Sequence, residues 1–458
     1  MNAFSTLQLK PDLLRNLDSL GYHSMTPIQA QSLPDILVGK DMIAQSKTGS
    51  GKTAAFGLGL LQKVDPASCA TQTLILCPTR ELADQVAREI RRLARCLANI
   101  KVLTLCGGMP IGSQLASLQH GAHILVGTPG RIEDHINRDS LDLTSINTLV
   151  LDEADRMLDM GFQASVDAIV DQLPKWRQTL LFSATFPDKI NSMAKRIMLK
   201  PVMVQIESSH DHSSIAQHFY REDDPKQYTT ALRLLLLHFR PESSVIFCNT
   251  KRETVDIANT LTQHGFSALA LNGDLEQWER DQTMVRFANK SIAILVATDV
   301  AARGLDIDGL DAVFNIHLPN EAETYIHRIG RTGRAGNEGL ACSIYGDREH
   351  LNTIKLTDLT GMSITPEALP SPALLKTKPI QASMQTFQIG GGKKQKLRPG
   401  DILGALTGKH GITGQQVGKI HILDNWAYVA VQRDVINIAR KKLTDGKLKG
   451  RSFRIRLI

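Results

Sequence analysis

The stretch SKTGSGKT, residues 46–53, carries the strongest fold signal in this sequence. It follows a short apolar run and precedes the helix-compatible run Ala54 to Gln62, which is the strand, loop and helix order of a phosphate-binding loop. Glycines in such a loop let backbone N–H groups face phosphates, and the following helix adds partial positive charge. Lys52 is placed to reach β- and γ-phosphates, and Thr53 to hold Mg²⁺. The stretch therefore predicts nucleotide binding, with a flexible Gly/Ser turn as the alternative.

A second motif further along the chain is acidic. The apolar run Leu149 to Leu151 ends in Asp152-Glu153-Ala154-Asp155, and open α/β sheets bind ligands at the carboxyl ends of their strands. Asp152 can hold Mg²⁺, and Glu153 can then orient or deprotonate the water that attacks a γ-phosphate. Alone, such a cluster is more often a helix N-cap. Together with the phosphate-binding loop, it predicts hydrolysis of a nucleoside triphosphate.

Hydrophobic periodicity extends the prediction to the whole fold. Short apolar runs alternate with helical stretches, an order typical of parallel sheets with crossover helices. The alternation stops at the polar stretch 207–214 and then restarts, which predicts two doubly wound α/β domains, residues 1–207 and 208–365. The Pro-rich segment 366–382 predicts a linker. The predicted strands are Thr73–Cys77, Lys101–Cys106, Ile124–Thr128, Thr148–Leu151 and Gln178–Ser183, followed by Ser244–Cys248, Ser267–Leu271, Ala293–Thr298 and Ala312–Ile316.

Charge separates the end of the chain from the rest. Residues 383–458 hold fifteen Lys and Arg against four Asp, whereas the remaining residues hold 38 basic against 42 acidic side chains. This distribution is typical of a nucleic-acid-binding module on a mildly acidic body, with a merely solvated surface as the alternative. The sequence contains no apolar run of membrane-spanning length, and its six cysteines lack metal-ligand or disulfide spacing. We therefore expect a cytoplasmic protein with reduced, mostly buried cysteines and no membrane partner.

The basic segment has the element order of an RNA-recognition fold, a small α+β domain with βαββαβ order. Trp426 and Tyr428 share one face of the third predicted strand, where they could stack bases. Gln388 stands where a stacking aromatic is common, so basic loops are further candidates for RNA contact. A ferredoxin-like domain with buried aromatics is the alternative. The predicted elements are Gln385–Ile389, Pro399–Thr407, Gly418–Ile422, Trp426–Val431, Asp434–Leu443 and Arg451–Leu457, and the basic candidates are Lys393, Lys394, Lys396, Arg398, Lys447, Lys449, Arg451, Arg454 and Arg456.

Further motifs give the sequence a specific resemblance. Phe4, Gly21-Tyr22 and TPIQ at 26–29 precede the phosphate-binding loop, and HRIGRTGR occupies residues 327–334. Together with Asp-Glu-Ala-Asp, this order resembles the DEAD-box RNA helicases over nearly the whole chain. The resemblance implies two RecA-like domains, and ATP as the nucleotide, because the Gln29 amide can pair with the N6 donor and N7 acceptor of adenine. The implied ATP-binding residues are Phe4, Tyr22, Thr26, Gln29, Ser46, Lys47, Thr48, Gly49, Ser50, Gly51, Lys52, Thr53, Gly304 and Asp306.

The same resemblance implies catalytic and coupling roles. Arg331 and Arg334 are the implied arginine fingers, whose guanidinium groups stabilise charge on the transferring phosphoryl group. An Arg cluster that binds only RNA is the alternative. The implied catalytic residues are Lys52, Asp152, Glu153, Arg331 and Arg334, the Mg²⁺ ligands are Thr53 and Asp152, and the coupling residues are Asp155, Ser183, Thr185 and His327.

RNA contacts are implied in loops that follow predicted strands. These loops mix Gly, Thr and Arg, which suit phosphate and 2′-hydroxyl contacts, although each loop by itself is ordinary turn chemistry. Their residues are Pro78, Thr79, Arg80, Gly108, Thr128, Pro129, Gly130 and Arg131 in the first domain, and Asn249, Thr250, Gly273, Asp274, Arg280 and Thr298 in the second.

The tail resembles that of a bacterial subgroup of this family that acts on ribosomal RNA. The resemblance lies in GGGKK at 390–394, RPGD at 398–401 and LGALTG at 403–408. It implies a large-subunit ribosomal RNA hairpin as partner, within a pre-ribosomal large subunit, and a role in assembling that subunit by local unwinding. We expect a monomer. One alternative is an ATP-gated RNA clamp without productive unwinding, and another is a DNA helicase, which the motif set and the RNA-recognition fold disfavour.

Overall fold

The computed structural model describes residues 3–46, 49–206, 215–302, 309–333 and 338–458. These residues form two compact units, one ending at residue 206 and the other beginning at residue 215. The second unit contains both an α/β sheet and the small C-terminal sheet. None of the described helices is long and apolar enough to cross a membrane.

The first unit is built on a parallel sheet that helices cover on both faces. Its strands are β1 Met42–Gln45, β2 Thr73–Leu76, β3 Val102–Leu105, β4 Ile124–Gly127, β5 Thr148–Asp152, β6 Gln178–Ser183 and β7 Val202–Gln205. Its helices are α1 Pro11–Ser19, α2 Pro27–Leu37, α3 Lys52–Lys63, α4 Arg80–Leu93, α5 Ile111–Leu118, α6 Pro129–Asn137, α7 Ala154–Asp159, α8 Gln163–Asp171 and α9 Asp188–Ile197. The described strands follow the order β3-β4-β2-β5-β6-β1-β7.

The hydrophobic core of this unit lies on both sides of the sheet. Ile75 packs into one cluster, whereas Leu74 and Leu76 pack into the other, as expected for strands that are buried on both faces. The five strands predicted in this half of the sequence are confirmed. The sheet also contains β1 and β7, which were not predicted as strands.

The second unit begins with another parallel sheet. Its strands are β8 Ile215–Arg221, β9 Ser244–Cys248, β10 Ala268–Leu271, β11 Ile294–Thr298, β12 Ala312–Ile316 and β13 Gly339–Tyr345, and its helices are α10 Tyr228–Phe239, α11 Lys251–Gln263, α12 Gln277–Ala288, α13 Asp299–Ala302, α14 Ala322–Ile329 and α15 His350–Thr360. The described strands follow the order β10-β11-β9-β12-β13-β8. The four predicted strands are confirmed. β8 and β13 were missed, since polar residues interrupt their apolar pattern.

The C-terminal domain of the second unit is an antiparallel sheet with two helices. Its elements are β14 Met384–Ile389, α16 Pro399–Thr407, β15 Val417–Ile422, β16 Ala427–Gln432, α17 Ile436–Asp445 and β17 Ile455–Leu457, with the sheet order β15-β16-β14-β17. The predicted βαββαβ order is confirmed. β17 is shorter than predicted, because Leu448 and Arg451 instead pair across a tight turn whose central residues, Lys449 and Gly450, both have positive φ.

The segment between the two sheets of the second unit packs against the α/β domain. Pro372–Lys376 forms a 3-10 helix, and Leu374 and Leu375 pack against the core that contains α10. Residues 372–376 of the predicted linker are therefore ordered and packed against the α/β domain. The apolar residues of the linker are too few and too irregularly spaced to reveal that packing from the sequence.

A buried polar cluster joins the C-terminal sheet to the α/β domain. The Thr386 hydroxyl on β14 lies 2.6 Å from the Ser291 hydroxyl and accepts a hydrogen bond of 3.1 Å from the Asn289 side chain. The Met384 N–H donates to the Lys290 carbonyl at 3.2 Å. These contacts dock one face of β14 against the residues that follow α12.

The six cysteines are all free thiols. Cys77, Cys106, Cys248 and Cys342 are buried, whereas Cys69 and Cys96 are exposed. Burial raises the pKa of the Cys77 thiol, so this cysteine is a packing residue rather than a nucleophile. The expectation of mostly buried cysteines is confirmed.

Replacing Thr386→Val should destabilise the second unit. The valine keeps the side-chain shape but leaves the buried Ser291 hydroxyl and Asn289 amide without this partner, which costs about 1–3 kcal/mol. Thermal unfolding should show a lower Tm than for Thr407→Val, a matched change at an exposed helix position. Equal Tm values for the two variants would contradict a role for the cluster in docking.

Candidate ATPase and RNA-binding site

The phosphate-binding loop lies between β1 and α3. Lys52 begins α3, and its ammonium donates to the Ser46 carbonyl at 2.9 Å, while the Ser46 and Ser50 hydroxyls lie 2.8 Å apart. Lys52 is buried, so its charge is held at the loop. A lysine beside unpaired N–H groups at a helix N-terminus forms an anion site. Gly49, Gly51 and Thr53 belong to the same loop and first helical turn, and Lys47 and Thr48 lie outside the described residues.

The acidic motif reaches the same edge of the sheet because β5, β6 and β1 are neighbours. Asp152 ends β5 and is almost fully buried. Burial raises the pKa of the Asp152 carboxyl to about 7, although Lys52 lowers it, and Glu153 adds a smaller raising effect. A buried carboxylate in this setting is stabilised by a cation beside it. The donor chemistry therefore fits a divalent cation at Asp152.

Glu153 is held in an uncommon backbone conformation. Its φ is +54°. This backbone conformation is unfavourable by roughly 1–3 kcal/mol for a residue with a side chain, and residues that adopt it are concentrated at active sites. The Arg156 guanidinium lies 3.4 Å from the Glu153 carboxylate, and both side chains are buried. A role for Arg156 was not predicted from the sequence. The available signal was its position three residues after Glu153, which places the two on one side of a helical turn.

Asp155 connects the acidic motif to the loop after β6. One Asp155 carboxylate oxygen accepts from the Thr185 N–H and hydroxyl, both at 2.9 Å, and from the Ala184 N–H at 3.2 Å. The Ser183 hydroxyl donates to the Thr185 carbonyl at 2.6 Å. The structure thus brings three implied coupling residues, Asp155, Ser183 and Thr185, into one hydrogen-bond network.

Gln29, the implied adenine reader, also contacts the phosphate-binding loop. Its side-chain nitrogen donates to the Gly51 carbonyl at 3.1 Å, and its oxygen accepts from the Thr26 N–H at 2.9 Å. Gly51 has φ +96°, and a Cβ there would lie 2.5 Å from the Gln29 nitrogen, so a side chain does not fit. Phe4 packs edge to face against Tyr22 with ring centroids 6.3 Å apart.

The implied RNA loops of the first unit converge because β3, β4 and β2 are adjacent. A Cβ on Gly108 would lie 1.6 Å from an Arg80 guanidinium nitrogen, so this guanidinium occupies the space above the glycine. Arg131 donates to the Met109 carbonyl at 3.1 Å, and Thr79 caps α4 through its hydroxyl. The same loops contain Pro78, Thr128, Pro129 and Gly130.

The second unit repeats this arrangement, since β10, β11 and β9 are adjacent. The Lys251 ammonium lies 2.6 Å from the Asp274 carboxylate, and Arg280 donates to the Asn272 carbonyl at 3.3 Å. Thr250 caps α11 by accepting from the Glu253 N–H. The three loops contain the implied contacts Asn249, Thr250, Gly273, Asp274 and Thr298.

Arg328 is a buried residue of the 327–334 motif for which the sequence predicted no role. Its guanidinium donates two hydrogen bonds of 2.7 Å to Asp299 and one of 3.4 Å to the Asn249 side chain. It therefore ties an implied RNA contact to α14, which carries His327. Arg331 follows α14 and is buried. Arg334, Gly304 and Asp306 lie outside the described residues.

The basic loops of the C-terminal domain gather at one end of its sheet. The Lys393 N–H donates to the Leu423 carbonyl at 2.8 Å, and the Lys449 ammonium donates to the Lys396 carbonyl at 3.1 Å. The first contact joins the loop before α16 to the turn between β15 and β16, and the second joins it to the loop before β17. Lys394, Arg398, Lys447, Arg451 and Arg454 lie on or beside the same loops.

The predicted use of Tyr428 as a base-stacking platform is wrong for this structure. Tyr428 is only 3% exposed, and its hydroxyl accepts from the Gln388 side chain at 3.3 Å. The reason is that this face of the C-terminal sheet packs, through Thr386, against the residues that follow α12. The Tyr428 ring on the same face is therefore buried. Trp426 remains 43% exposed beside the basic loops.

Known proteins match this architecture domain by domain. The DEAD/DEAH box helicase model matches residues 26–193, the helicase conserved C-terminal domain matches 226–336, and the DbpA RNA binding domain matches 386–457. The ATP-dependent RNA helicase DbpA of Escherichia coli K12 is 51% identical over 459 residues, with 100% of each chain covered. The chain belongs to the DEAD-box RNA helicases.

Other DEAD-box proteins are similar over the larger part of the chain. The DEAD-box ATP-dependent RNA helicase CshA of Geobacillus kaustophilus is 43% identical over 349 residues, covering 76% of this chain and 74% of that protein. The structure of Saccharomyces cerevisiae Dbp5 bound to RNA and ADP BeF3 superposes with a TM-score of 0.73 at 32% identity, covering 80% of this chain and 96% of that one. This chain is therefore an ATP-dependent RNA helicase that hydrolyses ATP, and its C-terminal domain binds RNA.

Replacing Asp155→Asn should weaken the coupling between ATP hydrolysis and unwinding. The amide loses the charge that holds the Thr185 donors, and hydrogen bonds to a charged group contribute about 1.5–3 kcal/mol. Strands released per ATP hydrolysed should fall by roughly tenfold, which corresponds to about 1.4 kcal/mol. The exposed Asp171→Asn serves as the control. An unchanged ratio in Asp155→Asn would refute the coupling role.

His317 should make the stability of the second unit depend on pH. Burial lowers the pKa of its imidazole, but hydrogen bonds to Glu253 and Glu349 outweigh burial and raise the pKa from 6.5 to about 9. The protonated ring therefore stabilises the fold fully below pH 6.5, and this stabilisation is lost as pH rises through about 9.

The check is the Tm of the wild type and of His317→Gln across that pH range. The Tm difference between the two proteins should be largest at pH 6.5 and should shrink towards pH 9. A difference that is constant with pH would show that the ring is not protonated between the two glutamates.

Proposed function

We propose that this helicase acts on a hairpin of large-subunit ribosomal RNA during assembly of the large ribosomal subunit. The observation that carries the proposal is the C-terminal domain matched by the DbpA RNA binding domain, attached to two matched helicase domains. The basic loops around Lys393 and Lys449 support it, because such loops neutralise RNA phosphates. The helicase works as a monomer in the cytoplasm, with the pre-ribosomal large subunit as its partner.

Residues of the first unit prepare ATP for hydrolysis in this proposal. Lys52 and the N-terminus of α3 bind the phosphates, and Gln29 reads the adenine. Glu153 orients or deprotonates the attacking water, and Arg156 holds the Glu153 carboxylate in place. ATP and RNA together close the two α/β domains, so that Arg331 and Arg334 stabilise charge on the transferring phosphoryl group.

A magnesium ion accompanies ATP in this proposal. Thr53 and Asp152 would hold it, and the buried Asp152 carboxyl, whose pKa burial raises to about 7, fits because a cation favours its ionised form. When bound, the ion neutralises charge on the β- and γ-phosphate oxygens.

The RNA loops supply the mechanical step. In the closed state, the loops around Arg80, Arg131 and Arg280 grip one strand by its phosphates and 2′-hydroxyls. When the RNA-binding loops of the two domains move together, they bend this strand and separate a short duplex locally. Hydrolysis then permits opening and release of the strand.

The decisive experiment compares steady-state ATP hydrolysis with no RNA, bulk RNA, large-subunit ribosomal RNA and DNA. We expect strong stimulation by ribosomal RNA and loss of hydrolysis in Glu153→Gln. Lys394→Gln with Lys447→Gln should raise the ribosomal RNA concentration needed for half-stimulation and reduce its salt dependence, since each lost phosphate contact lowers the slope by roughly 0.7. Arg440→Gln with Lys441→Gln, on the exposed side of α17, is the control pair.

Each contrary outcome removes a different part of the proposal. Equal stimulation by every RNA would remove the ribosomal target, and equal stimulation by DNA would remove RNA selectivity. A protein that hydrolyses ATP without releasing a short strand from a duplex next to the hairpin would be an RNA clamp.

A further inference from the structure

Helix α12 connects the core RNA loops to the C-terminal domain. Near its N-terminus, Arg280 donates to the Asn272 carbonyl, in the loop that continues into Gly273 and Asp274. Immediately after its C-terminus, Asn289 contacts Thr386 of the C-terminal sheet. The helix therefore spans the joint between the two RNA-binding parts of the second unit.

One face of α12 ends in an exposed tryptophan. Trp278, Asp281, Val285 and Asn289 are spaced by three, four and four residues, so they share one helix face. Asn289 on this face touches the C-terminal sheet, and the Asp281 charge acts on the Tyr428 hydroxyl of the same sheet. Trp278 lies one turn nearer the core RNA loop and is 61% exposed.

The C-terminal domain presents a second exposed tryptophan at the same joint. Trp426 immediately precedes β16 and lies two residues before Tyr428. Trp426 is 43% exposed, and a Cβ on Gly392 would lie 2.8 Å from its backbone nitrogen, which places it beside the loop of Lys393. Arg456 pairs with Gln388, the neighbour of Tyr428 in the sheet.

We propose that Trp278 and Trp426 are stacking platforms for an unpaired RNA segment that runs from the core RNA loops to the basic loops of the C-terminal domain. Exposed indole rings stack on any base, and adjacent cations hold the phosphates. At Trp426, an exposed ring beside the basic loop of Lys393 matches an RNA strand in both shape and charge. Trp278 supplies a second exposed ring nearer the core RNA loop, where Arg280 is the neighbouring cation. The site joins the strand held by the core to the RNA held by the C-terminal domain.

Binding of two RNA hairpins tests the proposal on the full chain with a non-hydrolysable ATP analogue. The hairpins share one arbitrary stem, and one carries a single-stranded extension of about eight nucleotides. Trp278→Ala should raise the Kd of the extended hairpin by roughly tenfold and leave the blunt hairpin unchanged, as should Trp426→Ala, while Trp278→Phe retains most of the affinity. Trp176→Ala, at a tryptophan of the first unit that is 87% exposed, is the control.

Tryptophan fluorescence gives an independent readout. The chain has three tryptophans, so Trp176→Phe with Trp426→Phe leaves Trp278 as the sole indole, and the extended hairpin should quench its emission. No quenching, or equal losses on both hairpins, would overturn the proposal. Because the stem sequence is arbitrary, a missing preference for ribosomal RNA would leave this result intact, so the two failures are distinguishable.

Discussion

Parallel strand pairing is the constraint on which both α/β sheets depend. Parallel strands present their carboxyl ends at one edge, so loops distant in sequence meet wherever their strands are neighbours. In the first unit, the adjacency of β5, β6 and β1 brings the acidic motif, the Ser183 loop and the phosphate-binding loop together. Asp155 then joins two of these loops through one carboxylate. A change in strand order would separate all three.

The same constraint produces the RNA surface of each unit. β3, β4 and β2 align the loops of Arg80, Gly108 and Arg131, and β10, β11 and β9 align the loops of Asn249 and Gly273. Buried charges then fix these loops. Arg328 does so in the second unit by linking Asp299 to Asn249, because a guanidinium offers several donors in a rigid plane.

Docking of the C-terminal sheet decides which of its groups face solvent. Thr386 contacts Asn289 and Ser291, and Tyr428, which lies on the same face of the sheet, is buried. The exposed groups are then the basic loops and Trp426 at one end. The candidate RNA contacts were predicted on the middle of the sheet, but the exposed ones lie at its edge, towards α12.

The sequence by itself determined the motifs, the nine predicted α/β strands and the βαββαβ order, because apolar period and glycine-rich loops are local properties. It also placed Asp152 at the end of a strand and Lys52 in the loop after another strand, at the sheet edge where ligands bind. Only the tertiary structure decided the packing of Leu374 against the α/β domain, the Arg328 network and the burial of Tyr428. Each of these depends on which surfaces meet, and contacts between residues far apart in the chain leave no periodic trace in the sequence.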